Sequence, residues 1–204
     1  VTTEEGSFTW REESIPLQEL QEAYEGKLEP IYPCNIAQGQ KEIPTLSAHG
    51  DSWKKPLIKA AKPRVLIPVF PGTNCEYDAA KAMAAAGAEP EIVVIKNLPA
   101  GAIAQSMEHV AQRLAQAQIV FLPGGFSGGD EPDGSAKLIT SFFRSGQVKE
   151  QVNELLKNRD GLMLGVCNGF QALIKLGLVP YGEIVDTDDT CPTLTFNTIG
   201  RHQS

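Results

Sequence analysis

The chain is 204 residues long, carries a formal net charge of −7, and is 42% hydrophobic, 21% charged and 7% aromatic. That composition excludes a disordered or collagen-like chain, and the length suits one domain of about 100–200 residues plus an appendage. The acidic balance without a Lys/Arg cluster argues against nucleic acid as a partner, and no apolar run approaches the ~18–20 residues that a membrane span needs.

Residues 1–60 show no convincing series of alternating strands. Ser7, Phe8, Thr9 and Trp10 alternate polar with aromatic, as at the end of a strand whose sheet lies elsewhere. The stretch Ile15 to Tyr24 predicts one short helix. Ser14 stands in position to cap it, Pro16 falls in its first turn, and Leu17, Leu20 and Tyr24 recur at i, i+3 and i+7. After Gly26 the prolines at 30, 33 and 44 and the glycines at 39 and 50 predict a linker. Residues 1–60 are therefore expected to be a tail belonging to something larger, and residues 61–204 a separate domain.

From Arg64 a regular alternation sets in. Val65–Phe70, Glu91–Ile95, Gln118–Leu122 and Gly161–Val166 are apolar runs. Helical segments separate and follow them: Glu76–Ala86, Ala102–Gln116 with Ile103, Met107, Val110 and Leu114 on one face, Ala136–Arg144, Val148–Asn158 and Asn168–Leu176. Short apolar strands alternating with helices predict a doubly wound α/β domain, its parallel sheet covered on both faces. Ligands of such sheets bind outside the carboxyl ends of the strands. Three segments fall there: Pro71–Asp78, Pro123–Asp130 and Gly165–Gln171.

The last carries the strongest signal. Gly165-Val166-Cys167-Asn168-Gly169 has the G-x-C-x-G form of a nucleophile elbow, a tight strand-to-helix turn that needs small residues on either side. The turn lifts Cys167 into the cleft at a helix N-terminus, where the dipole favours negative charge, and aims the Asn168 N–H at an oxyanion formed on an attacked carbonyl. Gly124-Gly125 offers the second half of an oxyanion hole. Phosphate binding there is discounted, since the loop lacks the lysine of GxxxxGK[ST]. Cys75 lacks elbow glycines and reads as a spectator; Cys34 and Cys191 lie beside prolines and read as inert. The four scattered cysteines predict reduced thiols, a cytoplasmic setting and no metal site. A thiol nucleophile usually works with a histidine base, and His49, His109 and His202 all lack an acidic partner at suitable spacing.

Together, Gly165–Gln171, Pro123-Gly124-Gly125-Phe126-Ser127 and Phe70-Pro71-Gly72-Thr73-Asn74 resemble the class I, triad-type glutamine amidotransferases over residues 63–204. With Asn168 and Phe170 in and after the elbow, the Gly72-Thr73-Asn74 loop and the Gly124-Gly125-Phe126-Ser127 loop, the chain resembles the glutaminase domain of the phosphoribosylformylglycinamidine synthases. Residues 1–60, with Leu28-Glu29-Pro30-Ile31-Tyr32-Pro33, resemble the tail that precedes this domain in the large, single-chain form. The resemblance implies a flavodoxin-like fold in which Cys167 attacks the glutamine amide. Gly125 and Asn168 then supply the oxyanion donors, and Phe126 and Gln171 line the glutamine site. It also implies that ammonia passes to a synthetase portion using ATP and Mg²⁺ to amidate formylglycinamide ribonucleotide in purine biosynthesis. The family carries a His-x-Glu pair downstream of the cysteine, and His202-Gln203-Ser204 does not match it. The chain is thus expected to be a C-terminally incomplete piece, inactive alone. Two other readings stay open: a different elbow-cysteine α/β protein of the intracellular-protease and deglycase group, or a module that keeps the fold without catalysis.

Overall fold

The structure, a computed structural model, describes residues 2–4, 6–27, 56–127 and 136–194. The predicted linker over residues 28–55, Cys34, His49, His202 and the Gly128-Gly129-Asp130 part of the second loop lie outside them. The chain divides into two compact units, Val1–His49 with Thr195–Ser204, and Gly50–Leu194.

In the first unit, strands β1 (Thr2–Glu4), β2 (Ser7–Trp10) and β3 (Glu13–Pro16) form an antiparallel sheet in the order β1-β2-β3. Ser7–Trp10 is thus the middle strand of a local meander, not the end of a strand paired elsewhere. It pairs Thr9 with Thr2 on one side and Phe8 with Ile15 on the other. Helix α1 (Leu17–Gly26) starts two residues later than expected. Pro16 occupies its N-cap, and Ser14 does not cap it: the Ser14 hydroxyl pairs with that of Thr9 across β2 and β3 at 3.1 Å. Pro16 cannot donate to the ladder, which suits the last residue of an edge strand, and its fixed φ leads into the helix.

The second unit holds four parallel strands, β4 (Arg64–Val69), β5 (Glu89–Val94), β6 (Ile119–Leu122) and β7 (Leu162–Gly165), in the order β5-β4-β6-β7. Helix α2 (Glu76–Ala85) joins β4 to β5, and α3 (Ala102–Leu114) carries the chain back across β4 to β6. The winding therefore reverses between β4 and β6, which places the ligand crevice at the carboxyl ends of those two strands. Next come α4 (Lys137–Phe143), α5 (Gly146–Asn153) and a π-helical turn over Glu154–Asn158, which closes the segment expected as one α-helix. After β7 follow α6 (Asn168–Lys175) and the short α7 (Leu178–Tyr181), which the sequence reading did not foresee.

Alternate residues of β4 supply the two faces. Leu66 joins Val110, Leu114, Val120, Leu122, Phe142, Phe143 and Leu176 in the larger cluster, while Val65 and Ile67 join Ala79 and Phe121 in the smaller one beneath α2. Phe70, Phe142 and Phe143 meet edge-on or tilted, with ring centroids 5.2–6.4 Å apart. On α3, Val110 and Leu114 are buried and Ile103 and Met107 pack against the core, as the spacing implied. Cover on the second face is narrower than expected: among the described residues Leu162 and Leu164 of β7 are exposed there.

A proline shapes the crevice. The carbonyls of Pro63 and Val69 accept from Glu89 and Ile95 on the β5 side, and that of Arg64 from Gln118 on the β6 side, so alternation turns the backbone of Pro68 toward β6. Pro68 has no N–H to offer that neighbour. The β4–β6 pairing runs only through Val65↔Ile119 and Leu66↔Val120, whereas β4 and β5 stay paired from Arg64↔Glu89 to Val69↔Val94. The ladder thus lapses at the carboxyl end of the switch point, leaving room for two loops.

Candidate active site

Those two loops brace each other. The amide of Asn74 donates to the Gly124 carbonyl at 2.9 Å and that of Phe126 to the Gly72 carbonyl at 3.0 Å, framing a Thr73–Gly125 antiparallel bridge. Approach this close requires glycine on both sides: a methyl group on Gly72 would lie 1.8 Å from the Phe126 carbonyl oxygen, and one on Gly125 2.5 Å from that of Gly72. In this kind of antiparallel pair the N–H groups of the bridged residues themselves point out of the ladder, so the Gly125 amide faces away from Thr73. Thr73 stiffens its own loop, its Oγ1 accepting from the Phe70 amide at 3.0 Å.

Cys167 stands between β7 and α6 with φ 52° and ψ −112°, a backbone conformation that a non-glycine residue adopts only at a cost of order 1–3 kcal/mol. Strain of this kind is the mark of a nucleophile elbow. The turn is held by Val166 N–H to the Leu122 carbonyl at 3.0 Å and by Gly169 N–H back to Val166 at 2.9 Å. A methyl on Gly165 would lie 2.5 Å from the Gly169 carbonyl oxygen, and one on Gly169 only 2.0 Å from that of Leu122. Glycine at both places lets α6 lie against β6, so that Cys167 emerges exposed.

Gly124 faces the thiol: the position of a methyl there is 3.2 Å from Cys167 Cβ and 3.9 Å from Sγ. The second loop and the elbow therefore meet around one sulfur. Asn168, the first residue of α6, is buried, and its Nδ2 donates to the Ser127 hydroxyl at 3.2 Å. Gln171 lies half-buried in the same first turn, its amide donating to the Cys167 carbonyl at 3.0 Å. Phe126 is 83% exposed, presenting its ring to solvent beside the loop pair. Along the other edge of the first loop runs a mostly apolar cleft of about 530 Å³, lined by Val69–Thr73 and Val94–Pro99.

The fold thus gathers Cys167, Gly125, Phe126, Asn168 and Gln171 at the carboxyl ends of β6 and β7. Cys75 is also exposed, at the N-cap of α2 with φ 69°, and lacks the flanking glycines. Cys191 sits in a turn around Asp188, whose carboxylate accepts from the Thr190 amide and hydroxyl and is thereby held below its ordinary pKa. His109, the one histidine among the described residues, is exposed on α3. Among the described residues no three His, Cys, Asp or Glu side chains cluster to hold a metal, and no helix is long and apolar enough to cross a membrane. Sequence reasoning missed the Thr73–Gly125 bridge and the Ser127–Asn168 contact, both of which join separate loops.

Residues 62–204 match the family described as CobB/CobQ-like glutamine amidotransferase domain. Phosphoribosylformylglycinamidine synthase subunit PurQ of Dehalococcoides mccartyi is 37% identical over 143 residues, which is 70% of this chain and 50% of that protein. The same subunit of Treponema denticola is 37% identical over 150 residues, covering 70% of this chain and 51% of that protein. A probable phosphoribosylformylglycinamidine synthase of Arabidopsis thaliana, described as chloroplastic/mitochondrial, is 30% identical over 166 residues, 76% of this chain but 11% of that protein. A solved structure titled as PurLQS from Thermotoga maritima is similar over 57% of this chain and 45% of that one, at 29% identity and a TM-score of 0.40. The chain spans about half the length of the PurQ relatives it matches.

Proposed function

The chain belongs to the CobB/CobQ-like glutamine amidotransferase family, and from that premise we propose that it is the glutaminase portion of a phosphoribosylformylglycinamidine synthase. The observation that carries the reading is the strained backbone of Cys167 at an elbow facing Gly124, at the carboxyl end of a parallel sheet. Cys167 Sγ attacks the side-chain carbonyl carbon of glutamine. The oxyanion that forms is held by the amides of Gly125 and Asn168, donors placed in advance where charge develops. As the tetrahedral intermediate collapses, its amide nitrogen takes a proton and leaves as ammonia, so that a γ-glutamyl thioester remains on Cys167. Water then hydrolyses the thioester to glutamate and the free thiol. Phe126 and Gln171 line the glutamine site.

Proton transfer requires a base, and no histidine among the described residues is hydrogen bonded to Cys167. We infer that the base comes from residues outside those described. Residues 1–60 serve as the tail joining residues 61–204 to a synthetase portion. The Arabidopsis relative favours this arrangement, because the matched region is 11% of a much longer chain. That portion binds ATP and Mg²⁺ and spends the ammonia on formylglycinamide ribonucleotide; the setting we assign is the cytoplasm.

The test uses the full-length protein. Cys167→Ala should abolish amidation driven by glutamine while amidation driven by added ammonium salt persists. Loss of both activities together, or survival of the glutamine-driven one, contradicts the proposal.

A further inference from the structure

The two oxyanion donors proposed above sit on separately braced segments. Gly125 belongs to the loop after β6, which is fastened to the loop after β4 through Asn74–Gly124 and Phe126–Gly72. Asn168 belongs to α6, whose first turn is fastened to its own elbow through Gly169–Val166 and Gln171–Cys167. Something must set the distance between the two segments, since a displacement of about 1 Å at a reacting centre costs up to 10²-fold in rate.

The described residues contain four buried polar side chains: Ser106, Ser127, Thr140 and Asn168. Ser106 and Thr140 donate to carbonyls of their own helices, at Ala102 and Lys137. Ser127 and Asn168 bond to each other at 3.2 Å across 41 residues of sequence, each only 3% exposed. Ser127 stands two residues beyond Gly125, and Asn168 directly follows Cys167. A hydrogen bond shielded from water at this place ties the donor-bearing loop to the donor-bearing helix.

We propose that Ser127 is a positioning residue of the glutaminase site, its hydroxyl fixing Asn168, and with it the amide at the elbow, at the correct spacing from the amide of Gly125. The proposal rests on the glutaminase reading and adds a role outside the residues assigned to that site. Ser127 touches neither glutamine nor the thioester; its effect passes through the Asn168 side chain.

The experiment compares wild type, Ser127→Ala, Ser127→Thr, Asn168→Ala and the double alanine variant of the full-length protein. It measures steady-state glutamine hydrolysis and the alkylation rate of Cys167 by iodoacetamide, with the labelled peptide identified by mass. Alkylation builds no oxyanion, so it reports access to the thiol and not the spacing of the donors. Ser127→Ala should lower kcat roughly tenfold with KM within about twofold, and alkylation should stay within about twofold. Asn168→Ala removes the same bond from its other end, so it should match that loss and the double variant should be no worse than either single one. Ser127→Thr keeps the hydroxyl and should recover most of kcat. The proposal is overturned by near-wild-type kcat in either alanine variant, by losses that multiply in the double variant, or by alkylation falling in step with kcat. If one alanine variant does not fold, the other decides alone. A wild type that hydrolyses no glutamine would instead sink the glutaminase reading, and the proposal with it.

Discussion

Replacing Gly169 with alanine tests whether the contact between α6 and β6 sets the position of Cys167, the proposed nucleophile. The added methyl would lie 2.0 Å from the Leu122 carbonyl oxygen, 2.7 Å from its carbonyl carbon and 2.8 Å from its Cβ. Real methyl carbons essentially never come within 3.0 Å of such atoms, so the first turn of α6 must retreat by at least about 1 Å. Leu122 cannot give way, because it is buried at the carboxyl end of β6, an inner strand of the sheet, and paired to Gly165 of β7. Overpacking of this kind costs about 1–3 kcal/mol, and a shift of that size at the elbow should lower glutamine turnover about 10²-fold. Gly146→Ala is the matched control: a methyl there meets open space at the start of α5, so turnover should stay within about twofold and stability should be unchanged or raised by some tenths of a kcal/mol. Glutaminase rates and thermal melting of the full-length protein read both changes. Turnover by Gly169→Ala within about twofold of wild type, in a protein that melts normally, would refute the claim that this contact places Cys167.

Other perturbations test the frame around the site. The Arg159 guanidinium donates to the carbonyls of Leu114, Ala115 and Ala117 at 2.6–3.0 Å and so closes the C-terminus of α3; Arg159→Met should lower unfolding stability by about 2 kcal/mol in a urea titration. Phe142→Ala opens a hole beside Phe70 and Phe143 and should cost about 3–5 kcal/mol by the same assay. Lys157 donates to Glu183 and holds its carboxyl below the ordinary value. The folded pKa is the lower one, so the pair's stabilisation is present above about pH 4.3 and is lost as the pH falls through the folded value. Lys157→Met should raise the Glu183 midpoint in a carboxyl NMR titration. Cys75→Ser should leave glutamine turnover within about twofold, read as the rate of ammonia release.

Strands β4 and β6 were legible because buried parallel strands read as unbroken apolar runs, and Val65–Phe70 and Gln118–Leu122 are such runs. The meander of β1 to β3 was not. Its strands are three or four residues long, rich in Thr, Ser and Glu, and held by backbone pairing, and β2 and β3 bury too little to leave an alternating pattern. Helix α7 hid behind Gly177, Pro180 and Gly182, which read as turn residues although the two glycines here flank a single helical turn with positive φ. The lapse of the β4–β6 ladder follows from Pro68, but it becomes visible only once β6 is known to be its neighbour. At the site, Cys167 was legible because an elbow is a local motif whose steric needs write glycine at fixed spacing. The Ser127–Asn168 bond was not, since a serine and an asparagine 41 residues apart leave no periodicity to read.

The most direct test of the assigned nucleophile is to quench the full-length protein with acid during turnover of glutamine and to map its peptides by mass. The peptide containing Cys167 should carry a γ-glutamyl group that disappears on treatment with hydroxylamine, and Cys167→Ala should carry none. A γ-glutamyl group on the Cys75 peptide, or turnover with no acyl group on any cysteine, would contradict the assignment of Cys167.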